Sequence, residues 1–67
     1  MSNELEPCKL LRRMYAGEDV RAVFPSEASI SRLEPAMQMN LYAFAAIHFP
    51  TERERNYYYK KYMEVRT

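Results

Sequence analysis

Apolar and polar positions along this chain alternate at intervals of three and four residues, the spacing of helices with one apolar face. In the first segment Cys8, Leu11, Met14 and Tyr15 fall at that spacing with Leu10 beside them, and Lys9, Arg12 and Arg13 take the outer side. Asn3 or Glu6 can cap this helix, Pro7 sits near its first turn, and Gly17 supplies a stop, so the pattern predicts a helix roughly from Leu5 to Ala16. The stretch "EDVRAVFP" fits two periods. Val20, Ala22 and Phe24 alternate as in a strand, whereas Val20, Val23 and Phe24 fit a short helical turn. With no second strand candidate in the chain, the turn is preferred, and Pro25 ends it. "SEASIS" reads as a polar connector or a further short turn, with Ile30 and Leu33 as apolar anchors.

Two long helices follow. Ser31 with Glu34 three residues on forms a capping-box pattern, and Glu34 with Pro35 offers an alternative start with proline in the first helical position. This helix runs to about His48 or Phe49, because Pro50 pushes the residue before it out of the helical region. Thr51 with Glu54 repeats the capping-box pattern and opens the last helix. The expected fold is therefore all-α: a small helical bundle of three main helices plus a short helical turn, forming one domain over residues 1–67.

The charge distribution adds a second layer. Residues 35–50, "PAMQMNLYAFAAIHFP", carry no formal charge, whereas the segments on either side are richly charged. At about 20 apolar residues for a membrane span this stretch is too short, and Gln38, Asn40 and His48 interrupt it, so no membrane role is expected. Instead "LYAFAAI" is apolar around the whole helix, and such a helix is normally covered on every side. Three short neighbours can hardly cover it. One face is expected to pack on its own chain and another on a second copy, with Ala43, Ala45 and Ala46 permitting close approach. The predicted homodimer interface is Met37, Leu41, Phe44, Ala45 and His48. Met37 and Met39 lie about 200° apart on a helix, so one of them should meet something outside the core.

In the last helix, "ERERNYYYKKYMEVR", a 100° turn per residue separates the tyrosines. Tyr58, Tyr62 and Val65 form one stripe with Tyr59 at its flank, which suits a core face whose ring edges stay wet. Tyr57, Lys60, Lys61 and Glu64 point away. Arg53, Tyr57, Lys60 and Lys61 are the candidate partner-binding residues, because tyrosine and arginine are enriched at interface hot spots. The same face, with Lys9, Arg12 and Arg13, is the alternative site for weak DNA or RNA binding. Glu52, Glu54 and Glu64 interrupt its positive charge, and the net charge of the whole chain is only +1.

Composition closes several routes. One cysteine, Cys8, permits no disulfide within the chain, and with His48 as the one histidine it makes no structural zinc site alone. Cys8 is expected as a small core filler and His48 as a structural residue near a helix C-terminus. Gly17 is the one glycine, so there is no glycine-rich phosphate loop, and no nucleophile, base and acid arrangement is evident. Neither an enzyme, a cofactor nor a metal is expected. The start "MSNELEPCK" holds two acids and no apolar stretch, which predicts neither signal nor transit peptide and a cytoplasmic location. In size and missing chemistry the chain resembles the small accessory proteins of bacteriophages and plasmids. That resemblance implies a role in binding an unidentified protein partner.

Overall fold

The computed structural model describes residues 7–66, which form five helices and no strand: α1 (Pro7–Tyr15), α2 (Val20–Val23), α3 (Glu27–Ile30), α4 (Pro35–His48) and α5 (Glu52–Arg66). The caps expected at Asn3 or Glu6 lie outside the described residues. Each boundary has a local cause. Gly17 adopts φ 104°, a left-handed conformation that glycine enters without strain, and it ends α1. The Glu18 amide then bonds the Arg13 carbonyl and the Gly17 amide the Met14 carbonyl, at 3.1 and 3.0 Å, which satisfies carbonyls left open by the helix end. Asp19 caps α2 by accepting from the Arg21 amide, and Ser26 caps α3 by accepting from the Ser29 amide. The connector therefore contains two short helical turns, where the pattern had settled only the first.

The start of α4 follows the proline alternative. Glu34 is the N-cap and makes no side-chain cap bond, while Pro35 takes the first turn. Ser31 is unavailable as a cap because it closes α3, with its hydroxyl donating to the Ala28 carbonyl at 2.8 Å. The Gln38 amide turns back onto the Leu33 carbonyl at 2.7 Å and ties the incoming chain to the helix. At α5 Thr51 caps the helix: the Glu54 amide donates to Thr51 Oγ1 at 3.2 Å, and that hydroxyl donates to Glu54 Oε1 at 2.7 Å.

The three residues between α4 and α5 leave room only for a sharp reversal, so the two long helices pack side by side as a hairpin. Leu41, Tyr42, Phe44 and Ala45 of α4 enter the core, joined by Leu10 of α1, Val20 and Val23 of α2, Ile30 of α3 and Phe49 of the link. From α5 no side chain is fully buried; Tyr58, Tyr62 and Val65 lean on the core from outside. Overall extents of 34 × 33 × 17 Å describe a flat body.

Two helical phases differ from expectation. In α1 the buried side chain is Leu10, with Leu11 and Met14 half-buried beside it, whereas Cys8 is exposed and Tyr15 is 82% exposed. Cys8 is thus not a core filler. Short α1 buries only Leu10 completely, with Leu11 and Met14 leaning on the core, and the run from Leu10 to Leu11 let the pattern be centred on either side. In α5 Tyr59 is 55% exposed, so the core tyrosines are Tyr58 and Tyr62.

Candidate interaction surfaces

Three surface features lie on this frame. On one side α5 is clamped to the short turns. The Arg21 guanidinium of α2 donates two hydrogen bonds to the Glu54 carboxylate of α5, at 2.8 and 2.6 Å. The bond from Arg21, followed by that from Thr51, holds the Glu54 carboxyl at about 2, and the same partner raises Arg21 further. One turn along α5, the Tyr57 hydroxyl donates to Glu27 of α3, 2.9 Å from each carboxylate oxygen, and Lys61 Nζ reaches the same carboxylate at 3.3 Å. Lys61 also lies 5.5 Å from the centre of the Tyr57 ring. The bond to Glu27 raises both the Tyr57 phenol and the Lys61 ammonium, since loss of either proton would break it.

Between these clamps runs an open cleft of about 500 Å³. Its floor is the ring cluster of Phe24, Phe49 and Tyr58, with centroids 4.6 to 5.3 Å apart in edge-on and tilted contacts. Its rim is Arg21, Glu54, Ser26 and Glu27. Burial raises the Tyr58 phenol, as it does that of Tyr42, whose ring centre is 6.1 Å away. The rim charges already hold one another, so the cleft presents polar edges engaged in joining α5 to α2 and α3.

The predicted partner-binding residues divide accordingly. Tyr57 and Lys61 belong to the Glu27 clamp, while Arg53 and Lys60 are exposed on the same side of α5. Lys61 was expected to point to solvent; its long stem instead lets the ammonium reach back to α3. Sequence spacing gave the helical phase, yet the acid that draws Tyr57 and Lys61 inward lies thirty and more positions upstream.

The residues predicted for a copy-to-copy interface lie largely in or against the chain's own core. Leu41 and Ala45 are fully buried and Phe44 nearly so, all within the chain's own core. Met37 and His48 are half-buried; Met37 packs on that core, and the His48 ring lies 4.6 Å from that of Phe44. Both therefore keep part of their surface exposed. The more open side of α4 lies one residue, about 100°, away: Ala36, Asn40 and Ile47 are exposed, Ile47 at 69%, with Ala43 half-buried among them. A helix apolar on every side carries no phase in its sequence, so the direction of its neighbours could not be read from spacing. Both Met37 and Met39 are half-buried, so neither stands out as the outward methionine.

Asn40, Ala43 and Ile47, with Phe44 and His48, form one wall of a shallow groove of about 360 Å³ whose other wall is Pro7, Cys8 and Leu11 of α1. The structure thereby brings Cys8 and His48 to one apolar surface, a juxtaposition their sequence positions did not suggest. Among the described residues no group of three or more histidine, cysteine or acidic side chains is placed to hold a metal ion. None of the described helices is long and apolar enough to cross a membrane. Compared with protein-family models, curated proteins and solved structures, the chain matches none.

Proposed function

We propose that this chain is a small non-enzymatic protein-binding adaptor or modulator, of the kind found among bacteriophage and plasmid accessory proteins, that works as a homodimer. The observation that carries the reading is the uncharged α4, which fills the core on one side and leaves Ala36, Asn40 and Ile47 exposed beside half-buried Ala43. An uncharged helix side with an exposed isoleucine supports a contact role for that side. The exposed cations Arg53 and Lys60 on α5 remain the part of the predicted partner site that is open to a second protein. Engagement of Tyr57 and Lys61 by Glu27 reduces what that side offers to phosphate groups and supports protein over nucleic acid as the partner.

Sedimentation equilibrium at tens of micromolar tests the assembly, and a single 8.0 kDa species at every concentration removes the homodimer from the proposal. Fluorescence anisotropy with duplex and single-stranded oligonucleotides tests the choice of partner. Tight binding at physiological salt, lost in a Lys60→Glu variant, replaces the adaptor with a nucleic-acid-binding regulator.

A further inference from the structure

Of the four large apolar side chains exposed among the described residues, three lie on one side of the molecule: Tyr15 at 82%, Ile47 at 69% and Tyr59 at 55%, one each on α1, α4 and α5. The fourth, Tyr57, is held by Glu27. Helical phase sets the three together. On α1, Tyr15 falls between Leu11 and Cys8, the two residues that wall the groove against α4. Ile47 stands in the opposite wall, and Ala43, Ala46 and Met39 follow round α4 toward α5, whose direction the Tyr42–Tyr58 ring contact marks. On α5, Arg55 reaches the Phe49 carbonyl toward α4, whereas Glu54, Tyr57 and Lys61 reach α2 and α3 on the other flank. Tyr59 and Met63, about 100° and 140° round from inward Tyr58, continue past Arg55 to the outer side. Helices α1, α4 and α5 thus form a layer with α2 and α3 on its inner side. At about 8–10 Å between axes, the shortest extent of 17 Å holds two layers and not three, so the outer side of this one is bare.

Cations edge this bare side at both margins. Exposed Arg12 follows Cys8 round α1, and exposed Lys60 and Arg66 flank Tyr59 and Met63 on α5, while α4 between them contains no charged side chain. The acids are mostly engaged or turned elsewhere: Arg13 holds Glu18, Asp19 caps α2, Glu27 and Glu54 hold the clamps, Glu34 caps α4, and Glu64 lies about 100° round from Met63. Glu52 shares the phase of Tyr59 but stands about 10 Å further back along α5. In relief, Tyr15 on α1 and Tyr59 on α5 rise on either side of the shorter Ala43 and Ala46, so the surface is a trough along α4. A lipid surface is met by apolar groups that protrude, whereas a trough between helices accepts a further helix laid along it. Its margins, two interaxial distances or about 16–20 Å apart, leave room for one helix about 10–12 Å wide and for charge contacts on both flanks. We propose that this trough seats an acidic amphipathic helix of a partner protein, with its apolar side on Ile47, Ala43 and Ala46 and its carboxylates against Arg12 on one margin and Lys60 and Arg66 on the other. The proposal rests on the protein-binding reading above, names the chemistry of that partner, and does not depend on self-association.

Amide chemical shifts of the isotope-labelled full-length chain read the site directly. The probe is a synthetic helical peptide about four turns long, with leucines spaced three and four apart on one side and glutamates on both flanks; its control carries lysine at every glutamate. The acidic peptide should shift the amides of Tyr15, Ala43, Ile47 and Tyr59, and the control should bind at least about tenfold more weakly, as expected when several exposed charge contacts change sign together. An Arg12→Glu, Lys60→Glu double variant should reverse that preference. Both residues are exposed, so its helical circular dichroism should match the parent. Shifts centred on Arg21 and Phe24 would move the site to the other cleft, overturning the trough and leaving the adaptor reading in place. Equal binding of the two peptides, or no shift at millimolar peptide, would overturn the acidic helix as the occupant. Stronger shifts of the same amides by an oligonucleotide or by anionic phospholipid vesicles would overturn the protein partner and the adaptor reading with it. Shifts of Tyr15, Ile47 and Tyr59 that grow with concentration of the chain alone would give the trough to a second copy and overturn the proposal.

Discussion

The two long helices are nearly equal in length and opposite in construction. Helix α4 holds no charged side chain and places Leu41, Tyr42, Phe44 and Ala45 in the core, while α5 carries charge along most of its length and buries nothing completely. The first is retained by apolar area removed from water. The second is retained by ring edges, namely Tyr58 against Phe24, Phe49 and Tyr42, and by polar ties to three other parts of the chain. Those ties are Arg21 to Glu54, Tyr57 and Lys61 to Glu27, and the Arg55 guanidinium to the Phe49 carbonyl at 2.8 Å. A helix fixed by burial is insensitive to salt and pH. One fixed by exposed ion pairs responds to both.

The contrast can be broken at Leu41, Tyr58, Thr51 and Glu54, in decreasing order of effect, with Tyr57 as the exposed control for Tyr58. Leu41→Ala should cost about 3 kcal/mol in denaturant melts, because a fully buried leucine leaves a cavity when truncated. Tyr58→Ala should cost about 2 kcal/mol, less than for a fully enclosed ring because Tyr58 is half-buried, and Tyr57→Ala at the exposed clamp under about 0.5 kcal/mol. Equal losses at Tyr57 and Tyr58 would mean that the clamp, not the ring cluster, holds α5. Thr51→Ala removes the cap from α5 and should cost about 1 kcal/mol by the same melts.

The smallest effect is electrostatic. Glu54 titrates at about 2 in the folded chain against an ordinary 4.5, so its ionised form stabilises the fold above the ordinary value. That contribution is lost as pH falls from about 4.5 through about 2. Thermal melts should therefore show a drop over this window that is shallower in Glu54→Gln, and added salt should shrink the difference because the pair is exposed. A pH profile identical in the variant and the parent would show that Arg21 and Glu54 do not tie α5 to α2.

How much of this was legible in the residues depended on how sharply each helix is two-sided. In α5 spacing by four and three residues marked Tyr58, Tyr62 and Val65 as one inward stripe, and the structure puts them against the core. Glycine, proline and capping residues marked the element ends well, since their effects act within a few bonds: Gly17 ends α1, and Thr51 with Glu54 opens α5. Helix α4 gave length and burial but no direction, and its open stripe emerged only once Leu10, Ile30 and Tyr58 were placed around it. The ties of Glu27 and Arg21 to α5 were not visible for a different reason. An acid in one turn and a tyrosine thirty positions later meet only after the chain has folded, and no local spacing records such a meeting.

The short link between α4 and α5 also sets an order of events in time. Closing three residues restricts little chain, so the pair can form from contacts close in sequence, the kind that speed folding. The turns α2 and α3 and helix α1, held through Val20, Ile30 and Leu10, would then dock on a preformed pair. Stopped-flow kinetics on core variants gives this a readout. Leu41→Ala should slow refolding, whereas Leu10→Ala and Ile30→Val should chiefly speed unfolding, and slowed refolding in all three would place α1 and α3 within the nucleus. A chain of this construction would pass through its rate-limiting step with the α4–α5 hairpin already shaped and α1 still undocked.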